Sequence, residues 1–284
     1  MITSSRFHYI LAAFLLTLCT FSARAQDELK VTHVSGAIHM LEGKGGNVGV
    51  SAGDDGLLIV DDQFASEEAK IRAALKDINP GSLKFVLNTH VHGDHTGGNE
   101  AFGKEATIIA HENVRKRLMD DELPKVALPV VTYENSVSVH FNGEEIELIH
   151  FPNGHTDTDT VIYFRGSNVV HMGDHFFSGR FPFIDLGRDG SVEGYLKNVA
   201  TVLETLPEDV KIIPGHGPLS TKADLKAFHG MIDACYTSVK EQVDAGKTIE
   251  DIQAKGVPAA YKDWAWQFIS EQRWLITLHE DLTK

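Results

Sequence analysis

Four side chains of the kind that hold metals, His90, His92, Asp94 and His95, fall within six residues directly after the apolar run Leu83–Leu87. They therefore project from a strand end. In extended chain, positions i and i+2 face the same way, so His90 and His92 can share one ion. Gly93 lets the chain turn, and Asp94 and His95 can then face a second ion. Burying three imidazoles and a carboxylate together without a cation strands many polar atoms. The bland alternative is a solvated His-rich loop, but metal sites are the usual cause of such clusters. Four residues do not complete two coordination spheres, so further ligands must come from other strand ends. The sequence offers His155 after the strand ending at Phe151, Asp174 after Val169–Met172, and His216 after Lys211–Ile213. Each lies beside a glycine that permits close backbone approach.

The surrounding pattern is α/β. Segments 29–42 and 47–51 read as short strands broken by turns at Gly43–Gly46, and Gly56–Val60 is a continuous apolar run, as in a strand covered on both faces. Helical spacing follows over 66–76, then strands at Leu83–Leu87 and Thr107–Ala110 and a helix at 112–119. Beyond Pro129 come a hairpin turning at Asn142-Gly143, strands at 161–164 and 169–172, and a helix from Val192 to Leu206 capped by Ser191. After the strand at 211–213, two helices are expected, about 222–245 and 262–282, the second with Trp264, Phe268, Leu275, Leu278 and Leu282 on one face. With 284 residues, of which 42% are hydrophobic, one large domain with sheets stacked between helical layers fits better than two independent ones.

A net charge of −14 and the lack of any basic run argue against a nucleic-acid partner. At the N-terminus, Arg6 and His8 precede an apolar run from Tyr9 to Leu18, and Ala23 and Ala25 supply small residues at a cleavage site. Residues 1–25 are thus read as a signal peptide cut before Gln26, with residues 26–284 as the exported domain and a periplasmic or extracellular destination. The run is too short to span a membrane comfortably, and Leu18 before Cys19 is poor for lipoprotein processing, so no stable membrane anchor is expected. Cys19 leaves with the leader, and Cys235 is expected to be a small buried residue on a helix.

Together these motifs resemble the metallo-β-lactamase superfamily: Leu57–Asp61, His90–His95, His155, Asp174 and His216, spanning about residues 30–218. The resemblance implies a four-layered αβ/βα sandwich with C-terminal helices from about 222, and metals along one edge of the paired sheets. It implies that His90, His92 and His155 hold a first metal and that Asp94, His95 and His216 hold a second, with Asp174 bridging both. Two Zn2+ per chain are expected, though imidazole and carboxylate ligands also accept Mn2+ or Fe2+. Two such ions about 3.5–4 Å apart can share a water and lower its pKa from about 15.7 toward 7, giving a bridging hydroxide that attacks a carbonyl. Asp94 can ligate, orient that nucleophile and pass a proton to the leaving group.

The resemblance thus implies a dinuclear zinc hydrolase cleaving an ester, lactone, thioester or amide-type bond of a small molecule, and the leader implies that it is secreted. An aspartate at 174, where many β-lactamases of the family carry Cys or Ser, is similar to the glyoxalase II and lactonase branches. Alternatives are a β-lactam hydrolase, a mononuclear-iron persulfide dioxygenase and a non-catalytic metal binder. The complete second ligand set argues against the last two. Asp61 can either accept a hydrogen bond from a ligand imidazole or cap a helix, and Asn88 and Thr89 are expected to fix the loop. Phe176, Phe177, Phe181 and Phe183 either line a substrate pocket or cover the sheet edge. His175 is read as lying behind the ligands or exposed, and His150 and His171 as packed within strands.

Overall fold

A strand buried on both faces needs apolar residues at every position, and Gly56–Val60 is built that way. Leu58 and Val60 enter one buried cluster, Leu57 and Ile59 another. The computed structural model describes residues 29–284, so the expected leader, its cleavage point and Cys19 lie outside the described residues. One sheet has seven strands in sequence order: β1 (Lys30–Ser35), β2 (Ile38–Glu42), β3 (Val48–Gly53), β4 (Gly56–Val60), β5 (Leu83–Leu87), β6 (Thr107–His111) and β7 (Val131–Tyr133). The strands β1 to β4 pair antiparallel and β4 to β7 parallel. The other sheet contains β8 (Ser136–Phe141), β9 (Glu144–His150), β10 (Thr160–Phe164), β11 (Val169–His171), β12 (Lys211–Ile213) and β13 (Ser220–Thr221), ordered β13-β12-β11-β10-β9-β8. Here β11 and β12 run parallel, and the β8–β9 turn has φ +51° at Asn142 and +80° at Gly143, as an Asn-Gly hairpin requires.

Alternation along the strands sorts the core into layers. Ile162, Phe164, Val169 and Ile213 meet Leu58, Val60 and Leu87 between the sheets. Val161, Val170 and Ile212 face outward, under the helices α5 (Val192–Thr205), α6 (Lys222–Asp244) and α8 (Glu271–Thr283). The outer face of the first sheet is covered by Ile71 and Leu75 of α1 (Glu68–Ile78). Short helices α2 (Gly93–Thr96) and α3 (Asn99–Phe102), with α4 (Glu112–Asp120), complete the first half, and α7 (Ile249–Lys255) joins α6 to α8. This is the expected four-layered αβ/βα sandwich.

The C-terminal helices depart from expectation. The helix expected over 262–282 starts only at Glu271, because Ser270 caps it by accepting the Arg273 N–H. Trp264 ends a 3-10 turn, Ala259–Trp264, and Phe268 lies exposed in the connection, so neither shares the buried face of Leu275 and Leu278. Helix α7 lies between the two expected helices without a signal in the sequence pattern, because its Thr248–Asp251 capping box starts a helix too short to show a periodic stripe. Ser191 caps α5 by accepting the Gly194 N–H, and Cys235 is buried on α6, where burial pushes its thiol up to about 11. Among the described residues, no helix is long and apolar enough to cross a membrane.

Candidate metal centre

Strands β4, β5, β9, β11 and β12 deliver their following loops to one edge of the paired sheets, and there all seven expected ligands converge. They form two groups, His90–His92–His155–Asp174 and Asp94–His95–His216, each with its ligand atoms within 4.8 Å of one another. The Asp174 carboxylate stands between them. Its Oδ2 lies 3.5 Å from His155 Nε2 and 3.8 Å from His90 Nε2. Its Oδ1 lies 3.1 Å from His95 Nε2 and 3.5 Å from His216 Nε2. Asp94 Oδ2 closes the second group at 3.3 Å from His216 and 3.7 Å from His95. A tetrahedral ion with bonds of about 2.0–2.1 Å has ligand-to-ligand edges of about 3.3 Å, so these separations match a metal cradle.

Hydrogen bonds behind the ligands decide which ring nitrogens face the centre. Asp61, at φ +62° after β4, accepts from Thr89 N, Thr89 Oγ1 and His95 Nδ1, each at 2.7 Å. Thr89 Oγ1 spends its proton on Asp61, so it accepts from His90 Nδ1 at 3.0 Å. Of the two uses open to Asp61, the geometry gives the bond to an imidazole. Through Thr89 it also reaches a second ring, so this one carboxylate sets the tautomers of His90 and His95 and leaves both Nε2 lone pairs turned inward. His155 Nδ1 donates to the Phe183 carbonyl at 2.7 Å, and His92 Nε2 donates to Asp185 Oδ2 at 2.9 Å. The remaining nitrogens, His92 Nδ1 and His155 Nε2, then face each other at 2.8 Å with bare lone pairs.

That arrangement tests the fit to a divalent metal. Two facing lone pairs repel unless a cation lies beside both. His90 Nε2, His95 Nε2 and Asp174 Oδ1 are buried without a directed hydrogen bond, although His95 and Asp174 sit close as an ion pair. Burial, with His95 adding to it, holds His90 well below the ordinary imidazole value, and burial lowers His155 to about 4, so both offer neutral nitrogen. Burial alone would raise Asp174, yet His216, His95 and His155 hold it well below the usual carboxylate range. Against burial, Asp174, Asp94 and Asp61 raise His95 well above its usual value, and Asp174 and Asp94 raise His216 to about 9. The acids in the second group thus demand positive charge, and the residues fit a divalent cation.

The loops are held tightly enough to keep this geometry. Asn88 and Asn99 exchange amide hydrogen bonds at 3.1 and 2.9 Å. Asp159 accepts from Thr156 N and Oγ1, which shapes the turn bearing His155, and Val91 N donates to Thr158 Oγ1 across the two loops. Asn47 Nδ2 donates to the carbonyls of Pro214 and Gly217 and pins the loop of His216. Gly215 is required by space: a Cβ there would lie 2.1 Å from Asp174 Oδ1.

Asp185, Asn47 and Tyr195, whose hydroxyl donates to the Asp174 carbonyl at 2.7 Å, were missed in the sequence. Nothing in their spacing marks them, because they meet the ligands only through the fold. His175 is buried, stacked on Tyr195 and bonded to Asn198, while His150 stacks on His111 at 3.6 Å. His171 is buried and bonded to the Asn47 carbonyl.

The four phenylalanines divide. Phe176 and Phe181 are core residues, packed on Phe228 and Trp274, so they do not line a pocket; the strand-to-helix connection turns them under α6 and α8. Phe177 is equally buried in that core and stacks on His216 with centroids 5.1 Å apart, so of the four only half-buried Phe183, 5.6 Å from His92 and 5.7 Å from His155, keeps an open face beside the cluster.

Comparison with known proteins fits this geometry. The 2,4-dinitroanisole O-demethylase subunit alpha of Nocardioides sp. (strain JS1661) is 28% identical over 207 residues, covering 70% of this chain and 61% of that protein. A hydroxyacylglutathione hydrolase of Prochlorococcus marinus (strain MIT 9301) is 30% identical over 144 residues, 49% of this chain and 53% of that protein. The chain therefore spans little more than half the length of these relatives. In fold, it is similar to the crystal structure of DIM-1 metallo-beta-lactamase, with a TM-score of 0.64 at 19% identity over 72% of this chain and 97% of that one. The sequence model of the Metallo-beta-lactamase superfamily matches residues 41–216, from β2 through the last histidine of the cluster, and the chain belongs to that superfamily.

Proposed function

We propose that the chain is a metal-dependent hydrolase that holds two zinc ions and cleaves an ester, thioester, lactone or amide-type bond of a small molecule. The reading rests on one observation above all: the two oxygens of Asp174 face two separate ligand groups, 3.5–3.8 Å from His155 and His90 and 3.1–3.5 Å from His95 and His216. In this assignment His90, His92 and His155 would hold the first ion and Asp94, His95 and His216 the second, with Asp174 placed to serve both. When bound, the ions supply Lewis acidity and bring water into the range where it ionises near neutral pH.

The chain's own residues do the rest. Asp61, Thr89, Asp185 and the Phe183 carbonyl hold the imidazoles in the tautomers that ligation needs. Asp94 is the carboxylate with access to a substrate, its side chain 25% exposed against 5% for Asp174. His95 and His216 keep it ionised despite burial, so it can take a proton from water and return it to the leaving oxygen, nitrogen or sulfur. The net reaction is R–CO–X plus water to R–COOH plus H–X. The names of the relatives cover hydroxyacylglutathione hydrolysis and O-demethylation, and the carbonyl bond preferred here follows the first of these. We take residues 1–25 as an export signal, giving a periplasmic or extracellular protein that N-terminal sequencing of secreted material would show to begin at Gln26.

The test is a hydrolysis screen on zinc-loaded protein with β-lactams, lactones, thioesters and phosphoesters. Turnover of a carbonyl substrate that disappears on chelation and returns with zinc is expected. Activity confined to phosphoesters, or none that depends on metal, would refute the reading.

A further inference from the structure

The wall beside the histidine cluster comes partly from chain beyond the superfamily match, which ends at residue 216. The connection ahead of α8 lies along the loop that follows Asp174: Phe181 N donates to the Trp264 carbonyl at 2.9 Å, and Trp266 Nε1 donates to the Phe181 carbonyl at 3.0 Å. This seats Trp266 6.0 Å from His216 and places exposed Phe268 5.5 Å from Phe183, which itself flanks His92 and His155. Trp266 and Phe268 adjoin at 5.6 Å, so a continuous aromatic surface runs past both ligand groups. Two guanidiniums rest on it, Arg180 5.0 Å above Trp266 and Arg273 4.4 Å above Phe268.

Those two arginines differ from most of the others. Of the seven described, Arg72, Arg117, Arg165 and Arg188 pair with carboxylates, and Arg115 donates to the Pro129 carbonyl. Arg180 and Arg273 have no carboxylate partner among the described residues, although the chain carries a net charge of −14 and acids are abundant. Arg273 donates to the Phe268 carbonyl, which leaves the rest of its donors open. Stacking a guanidinium on a ring fixes its plane while leaving its N–H edge for a carboxylate.

We infer that this surface is a subsite for a substrate joining a flat apolar group to a carboxylate, with the rings of Phe183, Trp266 and Phe268 taking the apolar group and Arg180 and Arg273 the carboxylate. The inference rests on the hydrolase reading above and names its substrate class. The reacting bond would lie at the histidine cluster, the flat group along the rings, and the carboxylate at the guanidiniums that rest on them, Arg180 on Trp266 and Arg273 on both Phe268 and Phe183. The same arginines concentrate anions locally against an otherwise acidic surface.

Two probe pairs test it on the full zinc-loaded protein. S-(4-carboxybenzyl) thioacetate and its 4-methyl analogue, in which CH3 replaces the carboxylate, report turnover, and the corresponding ethyl thioethers, which carry no acyl bond, report binding by calorimetry. The acid should exceed the 4-methyl analogue by about 10- to 100-fold in kcat/KM and in affinity, the range for a charge-assisted hydrogen bond. The gain should appear mainly in KM and shrink as salt is raised. The double variant Arg180→Gln/Arg273→Gln should bring each pair close to parity, and Arg273→Glu should turn the preference toward the uncharged analogue. Equal binding of the two thioethers by the unaltered protein would overturn the subsite, even if both thioacetates were cleaved. Preferential binding of the acid without cleavage of either thioacetate would leave the subsite standing and count instead against the proposed bond class.

Discussion

Replacing Asp61 should damage both halves of the metal centre although it lies behind the ligands. Its carboxylate accepts three hydrogen bonds at 2.7 Å, and neither it nor His95 has any exposed surface. Asp61→Ala strands Thr89 N, Thr89 Oγ1 and His95 Nδ1 in a dry site. Losing one partner of a buried charged network costs roughly 3–5 kcal/mol. At about 2–4 °C per kcal/mol for a domain near this size, that is a fall of roughly 6–20 °C in Tm.

Asp61→Asn separates geometry from tautomer. The amide keeps the volume and can accept from Thr89 N through its oxygen, but its NH2 then faces two donors. His95 can satisfy that NH2 only by moving its proton to Nε2, the nitrogen that points at Asp94 and Asp174. Metal affinity should fall about 10- to 100-fold, as for other residues that orient metal-binding histidines, and the His95 group should lose its ion first. The assay is competitive zinc titration against a chromophoric chelator, with melting curves alongside. An Asn variant that binds both equivalents with unaltered affinity would show that Asp61 does not set the tautomer.

Other expectations follow from the same geometry. Gly215→Ala should abolish metal binding while leaving most secondary structure, because its Cβ would fall 2.1 Å from Asp174 Oδ1; circular dichroism and metal analysis read the two effects separately. Zinc binding to metal-free protein at pH 7 should release up to about two protons, since ligation requires neutral imidazole and the acids hold His95 well up and His216 up to about 9. Calorimetry in buffers of different ionisation enthalpy counts them, and no buffer dependence would contradict the assignment. The metal-free fold should weaken on acidification. Burial holds His150 and His155 at about 4 and His175 at about 3, below the ordinary 6.5, so these three imidazoles cost stability as pH drops from about 6.5 toward 3–4 and outnumber buried Asp62 and Asp159, whose carboxyls burial raises and which act in the opposite direction. A urea midpoint that stays constant from pH 7 to 4.5 would refute this. Asp185→Ala frees the ring of His92 and should weaken the first group about tenfold, with zinc titration as the check.

Much of this was legible because its signals are local. The run at Gly56–Val60 announces a strand with two buried faces, Asn142-Gly143 announces a hairpin, and the crowding of His90, His92, Asp94 and His95 has few uses other than a metal. His155, Asp174 and His216 could be picked out because each follows an apolar strand beside a glycine. What stayed hidden depends on contacts between distant segments. Asp185 reaches His92 across 93 residues, and Asn47 reaches Pro214 across 167. The tail misled for a related reason. Trp264 and Phe268 fit a helical stripe with Leu275 and Leu278, but Ser270 starts the helix later, and docking on the 181–183 loop fixes the preceding aromatics in irregular chain. Asp61 stood between two roles in sequence because a carboxylate at a strand end serves either; only the positions of Thr89 and His95 decide it.

The proposed hydrolase depends on Asp174 joining two metal positions whose ions carry the chemistry. Its most direct test is metal analysis of zinc-loaded protein combined with anomalous diffraction at the zinc edge. Two ions per chain are predicted, one beside Asp174 Oδ2 with His90, His92 and His155, the other beside Oδ1 with Asp94, His95 and His216. Protein that hydrolyses its substrate at full rate with no metal bound, or zinc peaks located away from Asp174, would contradict it.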